Sequence, residues 1–153
     1  MPQMIKKVVK PATIDRIDIT ILGTPKPKQS FKFNSVTGAK FLPQEVMAME
    51  QNYRTQVVTK LPKGFIPFTG GVRIEVLFVF PIPKSMSKKT VRLIEEGGKV
   101  YKITKPDLTD NLNKGLMDSI KSIVLLDDSQ VCSFSAEKIY GTVPRTELTA
   151  IKL

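Results

Sequence analysis

Histidine is absent from the 153 residues, and cysteine occurs once, at Cys132. Without an imidazole there is no Ser-His-Asp triad, no Cys-His dyad, no histidine-based nuclease and none of the usual zinc enzymes. One thiol cannot close a disulfide within the chain or build a cysteine-rich metal site, and it fits a reducing, cytoplasmic setting. Long apolar runs are missing as well. The longest, Val76–Phe80, is too short to span a membrane, and Met1–Thr13 carries Lys6, Lys7 and Lys10 but no stretch of signal-peptide length. No repeat, heptad or low-complexity tract interrupts the chain, and no membrane partner is expected.

Acid is scarce relative to base. Lysine and arginine number 24 against 14 acids, a net charge of +10 with a pI near 9.8. That balance points to a polyanion, with nucleic acid the first candidate. With 41% apolar and 25% charged residues, the chain fits one domain, read as a loose segment 1–15 and a folded domain 16–153.

Ile17, Ile19 and Ile21 alternate with Asp18 and Thr20 as a half-buried strand ending at Gly23. A loop with two prolines follows, carrying Lys26, Lys28 and Lys32, with Phe31 and Phe33 beside the last lysine as core or stacking residues. From Pro43, the positions Val46, Met49 or Glu50, Tyr53, Val57 and Leu61 recur at helical spacing until Pro62 and Gly64. Val72–Phe80 reads as a central buried strand that Pro81 and Pro83 stop. The basic connection Lys84–Thr104 holds Lys84, Lys88, Lys89 and Arg92 and a short helix capped by Ser87 and closed by Gly97 and Gly98. A second clear helix is expected over Asp110–Ser122, then strands Gln130–Tyr140 and Glu147–Leu153. The fold expected is α/β in the α+β sense: a small mixed sheet with two main helices packed on it.

Five of the seven aspartates, Asp107, Asp110, Asp118, Asp127 and Asp128, fall within twenty-two residues. At 100° per residue, Asp110, Asn111, Lys114 and Asp118 share one helical stripe, and Leu112, Leu116, Ile120 and Ile123 the other. Asp107 can point over the acidic stripe, and Asp127 and Asp128 can close the group from the next turn. Such oxygen donors suit a hard cation such as Mg²⁺ and need no histidine; a cation among carboxylates with a lysine beside it is the equipment of phosphodiester hydrolysis. The same residues also admit a plain structural reading. Asp110 and Lys114 form an ordinary i,i+4 pair, Asp107 or Thr109 an N-cap, and Asp127-Asp128 a turn.

The segment Lys105-Pro-Asp-Leu-Thr-Asp-Asn-Leu-Asn-Lys-Gly-Leu-Met-Asp-Ser-Ile120, followed by Leu126-Asp-Asp-Ser-Gln-Val131, resembles the RusA family of Holliday-junction resolvases. In order along the chain, Ile19-Thr-Ile-Leu-Gly-Thr-Pro-Lys-Pro-Lys28 and Phe80-Pro-Ile-Pro-Lys-Ser-Met-Ser-Lys-Lys89 resemble the family's opening and its basic middle loop. The resemblance, over Arg16–Leu153, implies a small α/β homodimer that resolves four-way DNA junctions by paired symmetric nicks with Mg²⁺, and it leaves open whether Mn²⁺ substitutes. It implies Asp107, Asp110 and Asp128 as metal-binding catalytic carboxylates, Asp127 as an adjacent acid and Lys114 as the essential lysine; it leaves Asp118 without a role. The setting implied is a bacterial cytoplasm, with a host repair enzyme and a phage enzyme equally compatible. One departure stands out. The family places a single residue between its first two aspartates, whereas here Leu108 and Thr109 both intervene. Either an extra turn residue still lets Asp107 reach the metal, or Asp107 has moved to a capping role.

Lys26, Lys28, Lys32, Lys84, Lys88, Lys89 and Arg92 are the candidate phosphate contacts. A nuclease built on Pro-Asp and a downstream acid-x-Lys is excluded, since no acid stands two residues before a lysine after Asp107. The alternative to a resolvase is a basic nucleic-acid-binding module in which the acids are structural.

Overall fold

Alternation of isoleucine with polar residues makes Arg16–Leu22 (β1) a strand with one buried face: Ile17, Ile19 and Ile21 point inward and their neighbours outward. The protein is described by a computed structural model covering residues 13–28, 32–41 and 44–153. After β1, Lys32–Phe33 (β2) and Lys40–Phe41 (β3) form a small antiparallel ribbon. Gln44–Lys60 (α1) follows, and its buried residues Val46, Met49, Tyr53 and Val57 are the stripe that the spacing predicts. Val72–Pro81 (β4) is the buried central strand, and Lys88–Glu95 (α2) is the short helix, with the Ser87 hydroxyl accepting from the Thr90 amide. A π-helical turn, Leu108–Leu112, leads into Asn113–Ile120 (α3). A 3₁₀ turn at Asp128–Gln130 then opens Val131–Gly141 (β5), and Arg145–Lys152 (β6) ends the fold.

The four long strands form one mixed sheet in the order β1-β6-β4-β5, antiparallel except for the parallel pair β4 and β5. Ile19, Leu148, Val76 and Ala136 lie side by side across it. One face, with Ile74, Phe78 and Leu148, packs with α1 and α3 into a single core. The chain from β4 to the parallel β5 must cross the sheet, as parallel neighbours require, and α3 lies on that crossing. The second helix is thus a core element with one side left to solvent.

The expected fold class and the order of the main elements hold, with boundary shifts that have local causes and one addition, the β2–β3 ribbon, in a stretch expected to be loop. The second helix begins in π form at Leu108 and stops at Ile120, because Lys121 is extended and Ser122 takes a positive φ of 69°. Its end is closed from outside: the Arg54 guanidinium of α1 donates to the Ser119 and Lys121 carbonyls at 3.3 and 3.1 Å. Of the N-terminal segment, residues 1–12 and so Lys6, Lys7 and Lys10 lie outside the described residues. Ile14 packs on the core, and the Asp15 carbonyl accepts from the Lys152 amide at 2.8 Å. Among the described residues no helix is long and apolar enough to cross a membrane.

Candidate active site

Leucine and isoleucine set the orientation of the acidic segment. Leu112, Leu116 and Ile120 are fully buried, each stabilising the packing by roughly 1.5–3 kcal/mol, so the opposite side of the helix must face outward. Asp110 and Lys114 are exposed there, one turn apart. The additional residue between Asp107 and Asp110 is taken up by the π-turn: the Leu112 amide donates to the Asp107 carbonyl and the Asn113 amide to the Leu108 carbonyl. A π-turn spans one residue more per hydrogen bond than an α-turn, so the insertion is absorbed before the helix proper. Asp107 stands at the N-cap position, but its side chain makes no capping hydrogen bond and is exposed.

Asp118 is differently placed. Its carboxylate accepts from the Lys28 ammonium at 2.5 Å, and the same ammonium pairs with Glu50 of α1 at 2.9 Å. The Lys28 side chain is 14% exposed. Burial disfavours its charged form, but the hydrogen bonds and charges of Asp118 and Glu50 outweigh that, and its pKa lies above the ordinary lysine value. The Lys28 amide also donates to the Asn111 carbonyl at 3.1 Å, which brings the loop after β1 against the acidic helix. Gly115 permits this approach. A Cβ there would stand 3.3 Å from the Lys28 amide nitrogen, the Lys28 Cβ and the Met49 Cε.

The Asp127-Asp128 pair divides in the same way. Asp127 accepts from the Ser129 amide at 3.1 Å and from the Ser129 hydroxyl, and pairs with Lys121 at 3.4 Å. These partners, the serine bonds first, hold its pKa down to about 2. Gln130 completes a capping box: its Oε1 accepts from the Leu126 and Asp127 amides at 2.7 and 2.9 Å, while its Nε2 donates to the Phe68 and Gly70 carbonyls. The turn is thereby tied to the chain entering β4. Asp128 takes no part in these bonds and is exposed.

Among the described residues, no three Asp, Glu or Cys side chains converge closely enough to hold a metal ion. By chemistry, the exposed carboxylates of Asp107, Asp110 and Asp128 are the hard oxygen donors that a divalent cation takes. Of the candidate phosphate contacts, Lys26, Lys84, Lys88, Lys89 and Arg92 are exposed. Lys28 has its charge committed to Glu50 and Asp118. The side chains of Lys32 and Phe33, and all of Phe31, lie outside the described residues. Gly115, Arg54 and Gln130 had no role in the sequence reading. Gln130 stands inside the quoted motif, and a glycine in a helix is a recognisable signal, whereas nothing local marks Arg54.

An uncharacterized protein, YqaN, of Bacillus subtilis strain 168 is 30% identical over 145 residues, covering 88% of this chain and 95% of that protein. The family model described as endodeoxyribonuclease RusA matches residues 23–150, which takes in β4, α3, the aspartate turn, β5 and most of β6, and begins just after β1. The chain therefore belongs to the RusA endodeoxyribonuclease family, a DNA-cleaving enzyme family.

Proposed function

We propose that the protein resolves four-way DNA junctions by paired nicks, as a homodimer that requires Mg²⁺, in recombination, repair or phage DNA processing. The observation that carries this reading is the division of the five clustered aspartates. Two, Asp118 and Asp127, are engaged by Lys28 and by Ser129 and Lys121. The other three, Asp107, Asp110 and Asp128, are exposed, and they are the ones the family motif assigns to chemistry.

Asp107, Asp110 and Asp128 would hold the cation, which when bound activates water and offsets charge on the phosphate oxygens. Lys114, exposed one turn from Asp110, is suited to contact the phosphate or the departing oxygen, where a positive charge stabilises the developing negative one. Lys26 and the basic group of Lys84, Lys88, Lys89 and Arg92 supply sequence-independent phosphate contacts. A junction has two-fold symmetry, and two copies related by the same symmetry would present one site to each of two opposed strands.

The test is a labelled four-way junction and a matched linear duplex, incubated with Mg²⁺ or EDTA and with Asp110→Asn, Asp128→Asn and Asp118→Asn. Paired ligatable nicks in the junction alone are expected, abolished by EDTA and by the first two substitutions. Asp118→Asn should lose stability yet cut far better than Asp110→Asn. Junction binding without nicks, indifferent to Asp110→Asn and Asp128→Asn, would instead make the protein a binding module.

A further inference from the structure

The loop that delivers Asp107 has no helix or strand of its own, yet it is held at both ends. Its first part, residues 100–102, runs along the outer edge of β5. The Lys102 amide donates to the Lys138 carbonyl, the Tyr140 amide donates to the Val100 carbonyl, both at 3.0 Å, and Tyr101 bridges to Ile139. Beyond that point the backbone leaves the strand, and its carbonyls lose their ladder partners. The Lys138 ammonium of β5 takes over, donating to the Thr104 carbonyl at 2.6 Å and to the Pro106 carbonyl at 2.8 Å. The second bond is partly buried, where a carbonyl without a donor is costly.

The Pro106 carbonyl belongs to the peptide group that joins Asp107 to the loop. On the other side, the Asp107 carbonyl accepts from Leu112 in the π-turn. Asp107 is thus clamped at the peptide before it and by its own carbonyl, while its carboxylate makes no capping bond of its own. The clamp fixes the backbone from which that carboxylate projects. The π-helical turn supplies one half of the clamp, through Leu112, and edge strand β5 the other, through one lysine side chain.

We infer that Lys138 is a positioning residue for Asp107: it fixes the Pro106–Asp107 peptide and so aims the carboxylate at the cation site without touching substrate or cation. The inference rests on the reading of Asp107 as a cation ligand. Lys138 lies outside both quoted motifs and was not among the candidate site residues.

The experiment compares the full-length protein with Lys138→Met, which keeps an unbranched apolar stem and removes the donors, Lys138→Arg, which keeps donors, and Asp107→Asn. Three quantities are read: Mn²⁺ bound to the free protein, from the electron paramagnetic resonance signal of unbound ion; junction affinity in EDTA; and junction cleavage across a Mg²⁺ titration. Outer-shell partners of metal ligands typically contribute 10–100-fold to metal affinity or activity, so Lys138→Met is expected to weaken Mn²⁺ binding about tenfold or more. Its cleavage should fall and recover partly at high Mg²⁺, its junction affinity in EDTA should stay that of the parent, and Lys138→Arg should lie nearer the parent. A folded Lys138→Met with parental Mn²⁺ binding overturns the inference. So does a loss of junction affinity in EDTA that matches the loss of cleavage, which would make Lys138 a phosphate contact. If Lys138→Met does not fold by circular dichroism, Lys138→Gln in the same three measurements decides. If Asp107→Asn binds Mn²⁺ and cuts like the parent, the ligand reading of Asp107 fails, and this inference with it.

Discussion

At the residue scale, two aspartates adjacent in sequence have opposite fates. Asp127 is consumed by the turn it caps, and Asp128 is left over. The difference is expressed in proton binding: the hydrogen bonds from Ser129 and the Lys121 pair lower the Asp127 pKa from 3.8 to about 2. A carboxylate with a depressed folded pKa contributes stability that is fully present above its unfolded value and is lost as pH falls through its folded value. The contribution of Asp127 should therefore be complete above about pH 4 and vanish between about pH 4 and pH 2. Thermal melts of the parent and of Asp127→Asn should differ at pH 5 and approach one another toward pH 2. A gap between them that persists at pH 2 would show that Asp127 acts through something other than its charge. Of this, the Asp-Asp-Ser-Gln spelling reveals a turn. Which aspartate caps it depends on Gln130 reaching back to the Phe68 and Gly70 carbonyls, some sixty residues earlier in the chain.

At the scale of elements, α3 must satisfy three neighbours at once: the sheet through Leu116 and Ile120, α1 through Arg54, and the loop after β1 through Lys28. The last is the tightest. Alanine at 115 would gain about 1 kcal/mol in helix propensity over glycine. Its Cβ, however, would stand 3.3 Å from a Lys28 backbone nitrogen that is tied to the Asn111 carbonyl. With the ammonium of the same residue held by Asp118 and Glu50, Lys28 has little room to withdraw. Gly115→Ala is expected to lower the midpoint of urea unfolding despite the better helix former. A raised midpoint would mean that the loop yields easily and the Lys28 contact is loose. The helix itself was legible from its apolar spacing. Its π-helical start was not, because a spacing of two residues between the aspartates is compatible with a capping turn as well as with a widened one.

At the scale of the whole molecule, the net charge of +10 is unevenly placed. The sheet face away from α1 and α3 carries Asp18, Glu75, Glu137 and Glu147, neighbours through the strand register. Three of them are paired there with Arg16, Lys99 and Arg145. That face has little positive charge to spare for a phosphate backbone. The exposed basic group around α2 does have it, with Lys84, Lys88, Lys89 and Arg92 on or beside one short helix. Duplex binding should weaken linearly in the logarithm of salt concentration. Replacing Lys88, Lys89 and Arg92 by alanine should reduce that slope by about 0.9 for each phosphate contact removed. An unchanged slope would place the DNA elsewhere on the molecule.

The order of the main strands and helices, the buried faces of β1, α1 and α3, the cap at Ser87 and the clustering of aspartates near a lysine were all determined by sequence alone. Each depends on periodicity or on groups within a turn of one another, and local spacing suffices to read such features. What the tertiary structure decided was the use of each charge. Lys28, read as a phosphate contact, is drawn into an ion pair by Asp118 and Glu50 on two different helices. Lys138, unremarkable in sequence, becomes the support of the peptide before Asp107. A side chain's composition gives its charge, but the partner that engages that charge is brought to it by the packing of segments distant in the chain.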